Sequence, residues 1–336
     1  MLEVKNKTPF EVAIAPAMDV TLNEYIVVVV KATYKIENNS HSLKVADEQL
    51  PIYIADDYYD EPDNSSVKNS TDGAMIKSGT DIILNGSAYN FNRTSYVDTL
   101  LKVANIQKYV RVFGNRYWEK AMGGWRISQA ESFETLPLVY ENAFGGTTSC
   151  DDEHPQFFEK NPVGKGFYLK RDKRGLEGFP LPNLENPQQS MSNWLDQQTP
   201  ACFAAVASHW LPRKAMAGTY DSQWDKKRKP YLPLDFNENY FNAASEGLMS
   251  HQALQGGEMV ECYNLCKHQS LKFILPKPQI TARYSMKQRR HELPEPQLDT
   301  VVIEPESENL SMVWRVRIPC NQALLYCDWI SVRAKL

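Results

Sequence analysis

Residues 133–187 constrain the fold more than any other stretch, because glycine, proline and asparagine recur too often there for long helices or regular central strands. The stretch reads FETLPLVYENAFGG, an acidic spacer DDEHPQ, NPVGKGF and GFPLPNLENP, and one strand-like run lies at 136–141. Aromatic and leucine side chains alternate with the glycines, whereas disordered segments lack such apolar anchors. This pattern predicts an ordered, packed and irregular surface, here called the first irregular block.

Strand patterns precede this block. Residues 24–37 contain a run, at 26–30, in which every residue is β-branched, as in a strand that is covered on both faces. Residues 43–46 follow a turn and are predicted to pair back as a hairpin. Residues 56–73 are acidic and rich in Asn and Ser, which predicts an exposed loop. An antiparallel meander is predicted for three short runs bounded by Asn or Gly, at 80–91, 95–105 and 106–118.

Further strands are predicted near both ends of the chain, at 10–15, 258–264, 271–275, 279–286, 300–304, 311–318 and 323–332. The 20 prolines and the 11% of aromatic residues favour β-structure with many turns. We therefore expect a mainly β protein with antiparallel, sandwich-like sheets, a long irregular middle rich in Gly, Pro and aromatic residues, and few short helices. One domain, 1–336, would comprise N-terminal strands at 1–141, an irregular part with a short helix at 142–257, and C-terminal strands at 258–336.

Residues 200–247 form a second irregular block. Thr219 or Asp221 is predicted to cap a short helix that ends before Pro230, with Trp224 as its core-facing residue. Prolines and aromatic residues after that helix predict a stiff strap across a surface. The imidazole of His209 is expected to pack beneath the block and to bond to a backbone carbonyl.

Composition excludes several classes of function. The formal net charge of -4 gives no reason to expect a nucleic-acid partner, which requires a basic patch. The longest aliphatic run, at 26–30, is far shorter than a membrane span, and the N-terminal residues contain no apolar block of signal-peptide length. We therefore expect a cytoplasmic protein without a membrane partner, whose six cysteines are reduced.

No motif predicts a cofactor or a metal. The sequence contains no complete phosphate-binding loop, dinucleotide fingerprint or hydrolase nucleophile elbow. Cys262, Cys266 and His268 have near-metal spacing, but structural zinc needs four ligands and buried strand cysteines are the preferred interpretation. Asp151, Asp152, Glu153 and His154 are candidate ligands for a divalent cation, but calcium loops space their oxygens along the chain with a glycine at the turn, so an acidic solvated loop is the preferred interpretation.

A hydrolase remains the alternative function. Asp221 and Asp225 are four residues apart on the predicted helix, and Glu141 and Asp151 flank a turn. Carbohydrate-active enzymes need only two carboxylates at a suitable separation. Because no nucleophile, base and orienting group can be named together, we do not expect an enzyme.

The order of the motifs YENAFGG, NPVGKGF, LPNLENP, HWLPR, AGTYDSQW, LPLDFNENYFNAA and LQGGEMVECYNL resembles the domain-of-unknown-function 2169 family, whose members are found beside spike and effector genes of bacterial type VI secretion systems. The resemblance extends from residue 3 to about residue 275. It implies a cytoplasmic adaptor or chaperone that holds an effector, often one with a PAAR-type tip domain, and helps to mount it on the spike protein.

The family has no established catalytic residues to transfer. The resemblance implies partner-binding or motif roles for Tyr140, Glu141, Phe144, Asn161, Arg213, Tyr220, Asp221, Trp224, Phe241 and Asn242. Structural roles are expected for seven glycines, Gly145, Gly146, Gly164, Gly166, Gly218, Gly256 and Gly257. Other positions that fit the pattern are Pro162, Pro182, Asn183, Thr219 and Ala243.

Overall fold

A computed structural model describes residues 2–149, 155–169, 175–320 and 327–336. The acidic residues at 151–154 and the start of the strand predicted at 323–332 lie outside these ranges. The N-terminal strands are β1 Glu3–Lys7, β2 Glu11–Met18, β3 Glu24–Lys35, β4 Lys44–Val45, β5 Asp57–Tyr58, β6 Val67–Asn69, β7 Thr80–Leu84, β8 Ser87–Tyr89, β9 Tyr96–Val103, β10 Ile106–Phe113, β11 Trp118–Ala121, β12 Gly124–Ile127 and β13 Thr135–Pro137.

The middle of the chain has only short elements, and longer strands follow it. The middle contains a 3₁₀ turn at Tyr140–Asn142, β14 Phe144–Gly145, β15 Thr147–Ser149, β16 Pro155–Phe157, β17 Lys165–Gly166, β18 Leu184–Glu185, α1 Arg213–Met216, α2 Ser222–Lys227, a 3₁₀ turn at Glu238–Phe241 and β19 Met249–Ser250. The C-terminal strands are β20 Met259–Tyr263, β21 Ser270–Ile274, β22 Gln279–Met286, β23 Arg289–Glu292, β24 Gln297–Glu304, β25 Asn309–Pro319 and β26 Cys327–Lys335. The prediction of a mainly β fold with few short helices is confirmed.

The largest sheet of the described residues has seven strands, in the order β19-β7-β24-β25-β3-β2, with β4 paired to β3. Its pairs are antiparallel except β7 with β24. The prediction of a meander that begins with β7 is therefore wrong. Every residue of β7 is buried, so this strand needs cover on both faces, which the centre of the largest sheet provides.

The run predicted to be covered on both faces lies in β3. Ile26, Val28 and Val30 join the main hydrophobic core, while Val27 and Val29 pack with Met75 and Val313 on the opposite face. All five run residues are less than 5% exposed. The interpretation of an unbroken β-branched run as a doubly covered strand is confirmed.

A second sheet has five strands among the described residues, in the order β18-β10-β9-β20-β21, all antiparallel. Alternate side chains of these strands, such as Leu101, Val110 and Cys262, point inward and join the main core. Lys102 and Glu261 point outward and form a 3.0 Å ion pair. This alternation leaves one face of the sheet in water.

A third sheet has the order β1-β26-β22-β23 within the same ranges. The main core takes residues from all three sheets, and residues 201–207 are buried in it without regular structure. This part of the second irregular block lies in the core. Its alanines, cysteine, phenylalanine and valine are apolar, so removing these side chains from water lowers the free energy of the folded chain.

Some other local predictions are also wrong. Residues 56–73 contain the β5–β6 hairpin and a buried Asp72, whose carboxylate lies 2.8 Å from the ammonium of Lys31. Residues 136–141 are split between β13 and a 3₁₀ turn, and β23 was not predicted. No helix of the described residues combines the length and apolarity that crossing a membrane requires.

Candidate functional site

The first irregular block forms a second hydrophobic core. Phe144 is 0% exposed, and its ring centroid lies 5.0 Å from that of Phe158 and 6.4 Å from that of Phe167, edge to face in both cases. Tyr140 is 2% exposed and packs edge to face on Trp210 in the main core. Tyr140 and Phe144 were expected to have partner-binding or motif roles, and burial leaves them no surface to present to a partner. Their large rings instead fill the cores.

Asn161 and the neighbouring glycines hold this block together. The Asn161 side-chain amide donates to the carbonyls of Tyr140 at 2.8 Å and Phe144 at 3.0 Å, and the residue is 0% exposed. A Cβ on Gly145 would lie 2.1 Å from the Asn161 carbonyl oxygen, and Gly145 has a φ of +152°. A Cβ on Gly164 would lie 2.3 Å from Nδ2 of Asn161. Asn161 is thus a buried bracket rather than a contact for a partner.

The other predicted glycines lie at turns and close approaches. Positive φ is also found at Gly146, Gly166, Gly218, Gly256 and Gly257.

Two polar residues add hydrogen bonds to the first irregular block, Lys165 within it and Glu141 to a neighbouring segment. The ammonium of Lys165 donates to Asn142 Oδ1 at 3.0 Å and to Asn183 Oδ1 at 2.8 Å, and burial lowers its pKa. The carboxylate of Glu141 accepts from the backbone N–H and the hydroxyl of Ser66, at 2.7 and 2.6 Å. Glu141 therefore anchors the β5–β6 hairpin.

Arg213 and Asn242 line a cleft of about 770 Å³ with apolar neighbours such as Val206, Met216 and Met249. Arg213 is 4% exposed and donates to the carbonyls of Tyr240 at 3.0 Å and Val206 at 2.6 Å. Burial lowers its pKa. Within the described ranges, no carboxylate lies within ion-pair distance of it. Through these two bonds, Arg213 connects the segments that carry Val206 and Tyr240 at the wall of the cleft.

Asn242 is almost fully buried at the same cleft. Its side-chain amide donates to the hydroxyl of Ser78 at 3.1 Å and to Asn239 Oδ1 at 3.2 Å. The ring of Phe241 is half-buried against the cluster of Val27 and Val29. Both residues therefore fasten the end of the second irregular block to the largest sheet.

Residues 217–236, here called the aromatic lobe, project from this scaffold. The lobe closes at its base, where Asn237 N–H donates to the Met216 carbonyl at 2.9 Å. Asp235 accepts from the backbone N–H and the hydroxyl of Thr219, at 3.0 and 2.6 Å, and these bonds lower the pKa of Asp235. The lobe is thus fixed by its own hydrogen bonds.

Helix α2 lies in the aromatic lobe and is capped as predicted. Asp221 Oδ1 accepts from the backbone N–H groups of Gln223 at 2.9 Å and Trp224 at 2.8 Å. Carboxylates stabilise a helix N-terminus because its first N–H groups lack partners within the helix. The prediction that Asp221 caps a short helix is confirmed.

The lobe exposes apolar side chains. Tyr220 is 55%, Tyr231 42% and Leu234 76% exposed. Trp224 is half-buried, with its ring 4.7 Å from that of Tyr220 and its Nε1 donating to the Tyr231 carbonyl at 2.8 Å. The prediction that Trp224 faces the core is wrong, because the turn after α2 brings Tyr231 back beside the indole. The result is a rigid aromatic surface.

Basic groups lie in the lobe beside this surface, together with the exposed carboxylates of Asp225 and Asp235. Lys226, Lys227 and Lys229 are exposed at the end of α2. Arg228 donates to the carbonyls of Leu232, at 2.7 Å, and Val20, so that the lobe is tied to the β2–β3 turn. An apolar surface with a polar rim has the arrangement found in protein–protein interfaces.

The carboxylates considered for hydrolysis have structural partners. Asp221 caps α2, and Asp225 pairs with Lys229 at 3.0 Å. Glu141 binds Ser66. Asp151 lies outside the described residues, so its position relative to Glu141 is not described.

The remaining candidate groups also differ from a metal or catalytic cluster. His209 is exposed with its ring 6.2 Å from that of Tyr58, so the expected carbonyl bond beneath the block is wrong. The Cys266 thiol donates to the His268 carbonyl at 2.8 Å, and burial raises the pKa of Cys262. Among residues with described positions, no group of three or more potential ligands could hold a metal ion.

The sequence interpretation missed Tyr231 and Leu234, the residues that add most to the exposed apolar surface besides Tyr220. The signal was present in YLPL at 231–234. Tyr231 and Leu234, the first and last residues of this motif, are exposed, whereas Pro233 is buried. Pro230 and Pro233 lie on either side of the apolar pair 231–232 and hold it in a fixed extended turn.

Comparison with other proteins gives one informative result. Neither the curated proteins nor the solved structures contain a match to this chain. A family model described as "Uncharacterized protein conserved in bacteria (DUF2169)" matches residues 21–315. This match includes both irregular blocks and strands of all three large sheets, and so the chain belongs to the DUF2169 family.

Proposed function

We propose that this protein is a cytoplasmic adaptor of a bacterial type VI secretion system, which binds an effector with a PAAR-type tip domain and helps to load it on the spike protein. The type of system and of cargo comes from the resemblance of the motifs. The observation that carries the binding role is the aromatic lobe, a hydrogen-bonded projection with exposed Tyr220, Tyr231 and Leu234.

The lobe is suited to bind a folded protein. Interface energy concentrates in a few aromatic residues surrounded by polar groups. Tyr220 and Trp224 already lie edge to face at 4.7 Å, and the bonds of Asp221 and Asp235 hold their backbone in place. Since little side-chain and loop freedom remains to be lost, binding costs less conformational entropy.

The test is co-purification of the chain with the PAAR-type effector and the spike protein from cells that express all three. We expect the wild-type chain to retain the effector, the spike protein or both. A double change, Tyr220→Ala with Leu234→Ser, should weaken retention at least tenfold without lowering the thermal midpoint by more than a few degrees. The matched control is Phe91→Ala, which removes another half-exposed ring at a distant site.

Two results would contradict the adaptor role. One is the absence of both partners from the purified wild-type complex. The other is effector secretion that does not change when the gene for the chain is deleted. Retention that resists the double change would instead contradict the lobe as the binding surface.

A further inference from the structure

Strand β10 has an open edge. Its other edge pairs with β9 along all eight residues, from Ile106 to Phe113. On the open side, β18 pairs only with Arg111 and Val112. No other described strand continues this pairing toward Ile106.

The backbone groups of Gln107 and Tyr109 point to this open edge. Phe113 donates its N–H to the Asn183 carbonyl at 2.8 Å, on the side of β18. In an antiparallel ladder, alternate residues direct their N–H and C=O groups to the same side. Tyr109 and Gln107 precede Phe113 by four and six residues, so their backbone groups point to the same side as those of Phe113. Each therefore offers one N–H donor and one C=O acceptor at the edge.

The chain itself turns away from these groups. After Glu185, the next partners in register for β10 would be Asn186 and Pro187. Proline has no N–H to donate to a ladder. The Asn186 side chain accepts from Gln188 N–H at 3.0 Å, and its carbonyl accepts from Gln189 N–H at 2.9 Å. This turn carries the chain away and leaves the edge open.

A groove runs along the edge. It has a volume of about 570 Å³, and Gln107 and Tyr109 form one wall while Gln188 and Thr199 contribute to the other. Tyr109 is 49% exposed. The groove therefore lies beside the open edge of β10, where a further extended chain would add.

The groove continues into the cleft at Arg213, because Thr199, Pro200 and Glu246 line both. Glu246 is exposed, and within the described part of the chain no cation pairs with its carboxylate. The loop that carries it is fixed by Lys108, whose ammonium donates to Ser245 Oγ at 2.9 Å and to the Glu246 carbonyl at 2.7 Å. The exposed Glu246 carboxylate is thus held at the junction of groove and cleft, with the ammonium of Lys108 beside its backbone.

We propose that an extended segment of the cargo effector adds to β10 as an extra strand, with a basic residue opposite Glu246 and an apolar residue in the cleft beyond. The inference rests on the proposed function, since it names the part of the cargo that is recognised. Main-chain hydrogen bonds supply affinity in strand addition, and side-chain pockets supply specificity. The carboxylate of Glu246 selects a cation, and Val206, Met216 and Met249 select an apolar group.

Hydrogen exchange of the wild-type chain with and without purified effector tests the added strand. We expect the amides of Gln107 and Tyr109 to exchange at least tenfold more slowly in the complex, because they acquire hydrogen-bond partners. Unchanged exchange at both amides in a complex that does form would overturn the inference. This measurement needs no variant and does not depend on how a substitution folds.

A pair of variants isolates the backbone donor. Gln107→Pro removes an outward N–H that β9 does not use, whereas Gln107→Ala removes only the side chain. We expect the proline variant to bind the effector at least tenfold more weakly than the alanine variant, with similar thermal midpoints. Equal affinities would contradict strand addition.

The same experiments separate the possible failures. If no PAAR-type effector or spike protein binds the wild-type chain, the adaptor role fails and the inference falls with it. If the effector binds but the edge amides and the proline variant show no effect, only the inference fails. A wild-type dimer that Gln107→Pro converts to a monomer would assign the edge to a second copy and overturn the inference.

Discussion

The first irregular block and the aromatic lobe of the second block have similar residue patterns but bury their apolar side chains to different extents. In the first, Phe144 is 0% exposed and Tyr140 is 2% exposed. In the second, Tyr220 is 55% exposed and Leu234 is 76% exposed. Glycine, proline and aromatic residues therefore indicate an ordered irregular segment, but they do not indicate whether its rings fill a core or form a surface.

What lies beneath each block explains the difference. The rings of the first pack on Trp118 of β11 and on one another, so the block contributes a core of its own. The aromatic lobe has a closed base between Met216 and Asn237 and no sheet strand among its own residues. Phe236 packs on Tyr240 and Phe241 at the base of the lobe, whereas Tyr220 and Trp224 pack on each other. Tyr220, Tyr231 and Leu234 face the solvent, as expected of a binding surface.

The largest expected effect is the loss of a core ring in the first irregular block. Phe144→Ala should lower the free energy of unfolding by about 3–5 kcal/mol, because a buried ring leaves a cavity. Tyr220→Ala, in the lobe, should change it by less than about 0.5 kcal/mol, as is usual at exposed positions. Urea denaturation of the two variants measures both values. Similar losses in the two variants would contradict the contrast between the blocks.

A smaller effect is expected from crowding in the first block. Gly164→Ala would place a Cβ 2.3 Å from Asn161 Nδ2 and 2.6 Å from the Ala143 carbonyl, and should cost about 1–3 kcal/mol. Gly86→Ala is the matched control, because its nearest neighbour would be Pro305 at an ordinary 3.6 Å. Thermal denaturation compares them. A tolerated Gly164→Ala would indicate that the bracket at Asn161 is less rigid than its bonds suggest.

In the aromatic lobe, we expect a local rather than a global effect from the helix cap. Asp221→Ala should destabilise α2 by about 1 kcal/mol, and Asp221→Asn should retain most of the cap, because its side-chain oxygen still accepts. Hydrogen exchange at the amides of Gln223 and Trp224 reports this change. Global unfolding should stay nearly constant, and a large global loss would show that the lobe is part of the main cooperative unit.

The smallest effects concern pH, and the two blocks contribute them in different pH ranges. Burial lowers the folded pKa of Lys165 below 10.5, so the unfolded chain binds this proton more tightly and stability rises as the pH approaches 10.5. Hydrogen bonds from Thr219 lower the pKa of exposed Asp235 below 3.8, so its contribution is present above pH 3.8 and is lost as the pH falls through the folded pKa.

Denaturation at several pH values measures both slopes. Lys165→Met should flatten the alkaline rise and leave the acid side unchanged. Asp235→Asn should flatten the acid loss and leave the alkaline side unchanged. If either variant altered the opposite side, the assigned group would be wrong.

Much of the fold follows from local pattern. The β-branched run of β3 predicted a doubly covered strand, and the strand predicted at 279–286 coincides with β22. Asp221 predicted the start of α2. The position of β7 beside β24 did not follow from the sequence, because parallel pairing between distant segments leaves no local signal.

The site was less predictable than the fold. The resemblance placed Tyr140, Phe144 and Asn161 with Tyr220 in one set of partner-binding or motif positions, although only Tyr220 of these four is exposed. A motif marks residues that the fold or the partner needs, and it does not separate these two needs. The open edge of β10 depends on where the chain leaves the second sheet, just before Pro187. Sequence spacing does not give that position.

The closed base of the aromatic lobe has a consequence for how such proteins can diversify. Because the Met216 carbonyl and the Asn237 N–H meet at 2.9 Å, the ends of the lobe stay adjacent whatever lies between them. A segment with adjacent ends can be lengthened, shortened or transplanted without displacing the strands that carry it. The exposed apolar surface can then change by exchange of a single segment, 217–236, while the rest of the fold stays in place.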